Sequence, residues 1–536
     1  MDLHPVWRKQ QQQRFEQEGY WQPKTLAQEL DTACHRYASR RAVVDEHQRL
    51  TYRQLHRLAS RQATGFYQTG LRKGDRVLVQ LPNRADFIIT CFALFRIGAI
   101  PIMTTMAHRS EELIAQCQLT ESVALIVADR FLGFDHLSMA HQVARICPSV
   151  QHIMVSGQAD DHSLSLASLM PEPQMLPEPH YRDTALLLLS GGTTGIAKLI
   201  PRTHTDYAYN ARASAQRCGV DENTVYLAAL PVAHNFPLAC PGVLGTLLAG
   251  GCVVLAQTPG ADTCFPLIER ERVTITALVP ALLSMWLDDL PWNTHDLSSL
   301  RLIQSGGARL DPALARRISQ AFGCALQQVF GMAEGLLCYT EPDAPSEVAF
   351  NCQGRPLSDA DELRVVDAQG RDVAPGETGE LLTRGPYTIV GYYRAPEQNQ
   401  HSFTDDGFYR SGDVVRISET GYIHVEGRIK EQINRGGEKI AVAEIEALIC
   451  SFAGVKDVAL VALPDATLGE RSCAFIIADV PYTCDTLYPL CLQRGIARHK
   501  WPDDVIAIDH FPLTKIGKIN KQALIALAQQ RLNPEV

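Results

Sequence analysis

Between about residue 40 and residue 430, short apolar runs alternate with longer stretches of helical spacing, and that rhythm leaves few folds open. Residues 76–81, 100–104, 124–128, 252–256, 274–279, 300–304 and 325–330 read as strands, with amphipathic stretches such as 84–97 and 312–321 between them. Parallel strands need a crossover, and a helix is its usual content, so the pattern predicts a layered α/β protein with largely parallel sheets. A chain of 536 residues is expected to divide into two or more domains. Residues 158–180, rich in Ser, Pro and acidic residues, read as a surface loop. From 360 to 428, turns such as Asp367-Ala368-Gln369-Gly370 and Asp405-Asp406-Gly407 cut the chain into short strands, which predicts a β-rich subdomain. The last hundred or so residues read as a compact α+β tail, with a helix at 443–450, strands at 457–463 and 473–477, and a final helix from Lys521.

One strand ends unusually. The apolar run 184–189 stops at Ser190, Gly191, Gly192, Thr193, Thr194 and Gly195, and Lys198 follows. Glycines let backbone N–H groups close on an anion, hydroxyls add donors, and the lysine adds charge. The segment therefore reads as a phosphate-binding loop, with an ordinary Gly/Ser/Thr turn as the alternative. It is not a G-x-x-x-x-G-K-[ST] loop, because Ala197 precedes Lys198 and Leu199 follows it.

Composition excludes several functions. A net charge of −9 leaves nothing to drive general nucleic-acid binding through counterion release. The fifteen cysteines are scattered, with no C-x-x-C pair and no zinc spacing, and most fall in apolar runs as small core residues. The opening is polar and helix-prone rather than a signal peptide, and the most apolar stretch, 87–103, is broken by Arg96, Gly98 and Pro101. A cytoplasmic protein with reduced thiols and no membrane partner is expected.

Four further motifs follow the loop in order. QQVFGMAEG (327–335) runs a strand into a glycine turn that presents Glu334, a natural Mg²⁺ ligand beside a triphosphate. RSGD (410–413) presents Asp413 to ribose hydroxyls, GRIKEQINRGGEKI (427–440) contributes Arg428, and PLTKIGKINK (512–521) places Lys518 on a glycine turn. Each alone has a plain structural reading. Together with the loop, and in this order, they resemble the acyl-adenylate-forming enzymes, the superfamily of firefly luciferase, acyl-CoA synthetases and peptide-synthetase adenylation domains.

The resemblance spans the whole chain and implies a large N-terminal adenylation domain, 1–429, of layered α/β sheets plus the β-subdomain. It also implies a small mobile α+β domain, 430–536, with the hinge at Lys430. The implied cofactors are ATP and Mg²⁺. A carboxylate would attack the α-phosphate, expelling pyrophosphate, and a thiol would then attack the acyl-AMP. By resemblance, Ser190 to Gly195 and Lys198 hold the phosphates, Glu334 the metal, and Asp413 and Arg428 the ribose. Gly307 with Gln328, Val329, Phe330 and Gly331 would line the adenine slot. Lys518 would neutralise charge in the first half-reaction and move away before the second.

The segment LPVAHNFPLACPG (230–242) narrows the acid. Amino-acid-activating relatives carry an aspartate where this chain has Asn235, whose neutral amide suits a phenolic hydroxyl rather than an ammonium. This resembles the stand-alone aryl acid adenylating enzymes of siderophore synthesis. Dihydroxybenzoate enzymes place Tyr, Ser and Val where this chain has Phe236, Cys240 and Leu337, and all three changes make the pocket smaller or less polar. The resemblance therefore points to the salicyl-AMP ligase branch, with Gly306 and Gly307 also against the acid and His234 gating the pocket. 2,3-Dihydroxybenzoate is the alternative acid. The implied partner is the phosphopantetheine thiol of an aryl carrier protein; coenzyme A is the alternative acceptor, and the basic stretch 498–500 is either a carrier contact or a solvated turn. A decayed adenylate-binding protein is disfavoured by the presence of Glu334, Asp413, Arg428 and Lys518 together.

Overall fold

The computed structural model describes residues 5–189, 198–429, 432–435, 438–465, 469–494, 498–514 and 518–532. The chain forms two compact units. The first comprises Met1–Leu363, Leu382–Arg410 and Gly421–Ile423; the second comprises Arg364–Leu381, Ser411–Thr420 and His424–Val536.

The first unit is built on two sheets. The larger has nine strands, in the order Arg355–Pro356, Leu337–Tyr339, Ala325–Gly331, Leu302–Gly306, Ile275–Leu278, Val225–Ala228, Cys252–Leu255, Arg41–Val44 and Arg49–Thr51. Its central strands, from Ala325–Gly331 to Arg41–Val44, all run parallel, and antiparallel strands close both edges. The smaller sheet has seven, in the order Leu199–Thr203, Thr184–Leu189, Ile100–Met103, Arg76–Gln80, Ala124–Ala128, His152–Ser156 and Leu164–Ser165. Only Leu199–Thr203 pairs antiparallel within it.

Side chains alternate across both sheets. Tyr226 and Ala228 enter a central core that Leu227 faces away from, and Val77 and Val79 enter the same core while Leu78 faces out. The central core therefore touches both sheets, with the helices Leu26–Arg36, Tyr52–Gln68 and Ala85–Ile97 packed in it. Further helices cover the two outer faces, giving a layered α/β unit as expected. The helix Ala85–Ile97 is not amphipathic, contrary to its sequence reading: eleven of its thirteen residues are buried. A helix in the middle layer has no wet face, so it is apolar all round. Gly98, at φ +71°, ends it in a left-handed turn, and a Cβ there would stand 2.9 Å from Pro179.

The strand read at 300–304 lies instead at Leu302–Gly306. Backbone pairing, not side-chain polarity, sets its end: Ser305 pairs with Gln328 and Gly306 with Val329. Two residues of small side chain are thereby carried into the sheet.

Asp361 is half-buried, with its carboxyl oxygens turned inward. Tyr387 Oη donates to its Oδ2 at 2.6 Å and accepts from the Leu337 N–H at 3.2 Å, and the Ser358 N–H also donates to Oδ2. Oδ1 is buried with no partner among the described residues. Burial raises this carboxyl from 3.8 to about 7; Tyr387, the Ser358 N–H and Arg217 oppose the shift and Asp359 adds to it. Between those values the folded state holds a proton that the unfolded chain releases, so this stabilisation is complete below pH 3.8 and lost as pH rises through about 7. An Asp361→Asn variant, neutral at every pH, is expected to show a flatter loss of urea midpoint between pH 5 and pH 8 than the parent.

In the second unit, the strands Glu438–Ala441, Gln432–Arg435, Gly469–Ala478 and Val455–Asp465 pair in that order, and Asp504–Ala507 joins parallel to Gly469–Ala478. Val458 and Leu460 face a cluster with the helices Val442–Cys450 and Cys484–Gln493, while Ala459 and Val461 face the helix Lys521–Leu532. A separate four-stranded sheet orders Glu362–Val366, Thr378–Arg384, Tyr409–Ile417 and Ile423–Arg428. Among the described residues no helix is long and apolar enough to cross a membrane. Twelve of the fifteen cysteines are buried, as their apolar surroundings in the sequence predict.

Candidate active site

The chain leaves the strand Val225–Ala228 through a loop pinned by Asn83, whose Nδ2 donates to the carbonyls of Ala228 and Leu230 and whose Oδ1 accepts from the Val232 N–H. His234 then precedes the short helix Asn235–Ala239, and its N–H donates to the Pro231 carbonyl. Asn235 and Phe236 are half-buried at the start of this helix, and Cys240 is buried just beyond it. The Cys240 thiol donates to the Asn235 carbonyl at 3.5 Å, and Asn235 Nδ2 reaches Cys240 Sγ at 3.6 Å. Burial pushes this thiol up to about 12, so it stays neutral.

Two strand ends lie beside this segment and the strand Leu337–Tyr339. A Cβ on Gly306 would stand 2.9 Å from the Phe236 ring, so the ring lies directly on that backbone. A Cβ on Gly331 would stand 2.4 Å from Leu337 Cδ2, which places Leu337 on the neighbouring strand end in the same way. Val329, Leu337 and Cys240 share one core cluster, and Phe236 packs against it. The structure thus brings Asn235, Phe236, Cys240, Gly306 and Leu337 to one place. Gly307 follows at φ +80°, a left-handed conformation that a side chain would strain.

Gln328 lies in the strand Ala325–Gly331, within the motif that the sequence singles out. Its Nε2 donates to the Ala349 carbonyl at 2.9 Å and its Oε1 accepts from Gln353 Nε2 at 3.1 Å, so its side chain is committed to a buried network. Only its main chain is left to line a slot, beside Val329, half-buried Phe330 and exposed Gly331.

Ser190, Gly191, Gly192, Thr193, Thr194 and Gly195 lie outside the described residues, as does Lys430. Lys198 is described, and its ammonium lies 5.1 Å from the centre of the Tyr392 ring. The same tyrosine donates its hydroxyl to Glu334 Oε1 at 2.8 Å and meets Tyr409 Oη at 2.9 Å. Burial and Glu334 together raise the Tyr392 phenol, which keeps it a donor. Glu334 is held from behind as well, its carbonyl accepting from the Ile389 N–H at 2.7 Å. Tyr392 thus links the loop lysine to the carboxylate, and no local pattern in the sequence marks it.

The donor set at Glu334 fits magnesium. Tyr392 occupies Oε1, Oε2 has no protein donor among the described residues, and no group of three or more His, Cys, Asp or Glu able to hold a metal occurs there. Mg²⁺ is characteristically held by one or two carboxylates, with phosphate oxygens and waters filling its octahedron.

In the second unit, Arg428 Nε lies 3.0 Å from Asp413 Oδ1, and Arg428 Nη2 donates to the Ser411 carbonyl at 3.2 Å. The Asp413 N–H donates to Ser411 Oγ, so neighbouring strands fix this pair side by side. Lys518 is exposed and tied to Thr514: its N–H donates to Thr514 Oγ1 at 3.1 Å and its carbonyl accepts from the Thr514 N–H at 2.6 Å. Residues 498–500 form a single 3₁₀ turn, with the Arg498 guanidinium 4.4 Å over the Trp501 ring.

Comparisons with known proteins sharpen this geometry. Residues 30–393 match the AMP-binding enzyme family, and residues 444–518 match the AMP-binding enzyme C-terminal domain. The chain is 49% identical to the 2,3-dihydroxybenzoate-AMP ligase of Bacillus subtilis, covering 98% of each chain. It is 45% identical to the salicyl-AMP ligase / salicyl-S-ArCP synthetase of Mycobacterium tuberculosis, covering 95% of this chain and 91% of that one. Among solved structures, the Mycobacterium smegmatis MbtA apo structure aligns with a TM-score of 0.76 at 44% identity, over 97% of each chain.

Proposed function

The chain belongs to the AMP-binding enzyme family, and from that premise we propose that it activates salicylate as salicyl-AMP and passes the acyl group to the phosphopantetheine thiol of an aryl carrier protein in siderophore synthesis. The carrying observation is the neutral amide of Asn235, 3.6 Å from the Cys240 sulfur, where a carboxylate would be needed for an amino acid. The relatives whose names include 2,3-dihydroxybenzoate-AMP and salicyl-AMP ligases support an aryl acid.

In this reading Asn235 meets the ortho hydroxyl, Phe236, Gly306 and Leu337 flatten the slot around the ring, and Cys240 forms its floor. The acid's carboxylate attacks the α-phosphate of ATP and pyrophosphate leaves. Lys198 and the 190–195 loop hold the departing phosphates, and Asp413 with Arg428 grips the ribose. Backbone from Gly307 and residues 328–331 borders the adenine. Glu334 would hold Mg²⁺, which when bound neutralises charge that grows on the phosphate oxygens. Lys518 adds a second positive charge there in the first half-reaction. His234 gates the path by which the thiol enters, and Lys430 is the hinge about which the C-terminal domain turns. The chain's residues 1–429 and 430–536 are the two domains of that cycle, in the cytoplasm.

The 49% identity to a 2,3-dihydroxybenzoate-AMP ligase favours a second reading, with that acid as substrate. The pocket favours salicylate because the Cys240 proton is already given to the Asn235 carbonyl and its sulfur already faces Asn235 Nδ2. A 3-hydroxyl would find only a weak, occupied acceptor there. An apolar pocket rejects an added hydroxyl by about 10²-fold, so slow turnover of dihydroxybenzoate is expected. ATP–pyrophosphate exchange with salicylate, 2,3-dihydroxybenzoate, benzoate and several amino acids tests the proposal, and a preference for dihydroxybenzoate overturns the salicylate assignment. Acyl transfer to an aryl carrier domain against coenzyme A tests the acceptor. In a Cys240→Ser variant the hydroxyl offers a stronger partner, and the exchange-rate ratio of dihydroxybenzoate to salicylate is expected to rise by about tenfold.

A further inference from the structure

We propose that Tyr207 is a positioning residue for substrate choice: it locks the Asn235 amide with its N–H edge toward the pocket, so that an ortho-hydroxy acid is accepted and an ortho-amino acid refused. The inference rests on the salicylate reading above and assigns the origin of one selectivity within it.

Tyr207 is fully buried on the helix His204–Arg217, and its hydroxyl donates to Asn235 Oδ1 at 2.8 Å. Burial holds the phenol well above its ordinary range, with Arg202 opposing the shift, so it remains a donor. Its ring is clamped in turn. The Arg202 guanidinium lies 4.7 Å over the ring centre, with Nε bonded to Asp206 Oδ1 at 2.8 Å and Nη1 to the Ala333 carbonyl at 3.0 Å. The other side of the amide is fixed by proton counting. A thiol has one proton, and that of Cys240 goes to the Asn235 carbonyl, so its sulfur can only accept from the amide. Oxygen toward Tyr207 and nitrogen toward Cys240 is the orientation in which the buried phenol keeps a partner for its proton and the thiol keeps its bond to the Asn235 carbonyl.

An amide held this way offers the substrate a donor. The hydroxyl of salicylate gives its proton internally to the adjacent carboxylate and has lone pairs to spare for Asn235 Nδ2. The amine of anthranilate has its lone pair drawn into the ring and presents N–H groups, so donor faces donor. A buried polar group without a partner costs more than the bond itself contributes.

The test is ATP–pyrophosphate exchange with salicylate, anthranilate and benzoate, using the full-length parent and Y207F, which keeps the ring and its volume. With the phenol gone the amide is free to turn its oxygen outward. The ratio of kcat/KM for salicylate to that for anthranilate is expected to fall by about tenfold, while benzoate, which lacks an ortho group, changes little. A parallel loss on all three acids means that Tyr207 only supports the fold, and overturns the inference. A parent active on salicylate with an unmoved ratio in Y207F also overturns it alone. A parent silent on salicylate overturns the underlying reading, and the inference with it. Should Y207F fail to fold, N235D tests the half of the proposal that concerns the edge facing the acid, because its carboxyl offers an oxygen to the pocket whatever Tyr207 does. A shift of preference to anthranilate is expected, and retained salicylate preference overturns the proposal.

Discussion

Replacing Lys518 with alanine is expected to slow adenylation of the aryl acid by a factor of about 10²–10³, the loss typical of one preorganised donor at a developing charge. Two anions, a carboxylate and a triphosphate, must meet in that step, and a side chain delivering a positive charge there acts mainly on the transition state. The variant should fold, since Lys518 is exposed and its main chain bonds to Thr514 in a way that an alanine keeps. Pyrophosphate exchange reads the first half-reaction. Transfer from preformed salicyl-AMP to a carrier domain reads the second, and there a smaller loss is expected because, in the proposed cycle, the C-terminal domain turns Lys518 away between the halves. Equal losses in both assays would refute that division of labour.

Glu334→Gln is expected to lower exchange by about 10²-fold and to raise the magnesium concentration at which the rate is half-maximal. The substitution conserves volume, and the new amide oxygen still accepts from Tyr392, so the clamp that Tyr392 and Ile389 place on the turn survives. What is lost is the negative charge. Adding magnesium should therefore recover part of the rate in the variant and leave the parent unchanged. A variant with unaltered metal dependence would show that Glu334 is a support for Tyr392 and nothing more. Equilibrium binding of salicylate separates the two effects, since the acid pocket does not use Glu334.

What the chain declares locally was readable. The helix Pro312–Phe322 starts on Asp311, which accepts from the N–H groups of Ala313 and Leu314, has proline in its first turn, and stops at Gly323 in the left-handed conformation. Each is a residue-level signal, and the helix lies where it was read. The helix Ala85–Ile97 lies at the expected place but has no wet face, because it packs among other helices in the core that both sheets share, which only the tertiary fold shows. The same holds at the site. Lys198 and Glu334 announce themselves by position after strands, and the Asn235 segment by its resemblance to the family's acid-binding segment. Tyr392 and Tyr207 do not, since each acquires its meaning from a partner 58 or 28 residues away. Gln328 adds another pairing that no local signal shows. It sits in the expected motif, yet its amide is consumed by Ala349 and Gln353, a commitment invisible until the strands are paired.

The two glycines beneath Phe236 and Leu337 have a use for inhibitor design. Both pocket walls are side chains laid on bare strand backbone, at positions where even a methyl group would collide. Shortening either side chain uncovers the main chain on which it lies. An enzyme with Phe236→Ala should thus accept a salicylate enlarged on that side, such as a fused bicyclic hydroxy acid, that the parent excludes by shape. Such a matched pair of widened enzyme and bulky acid would let one adenylating enzyme in a mixture be loaded or blocked by itself, with its unmodified relatives left untouched.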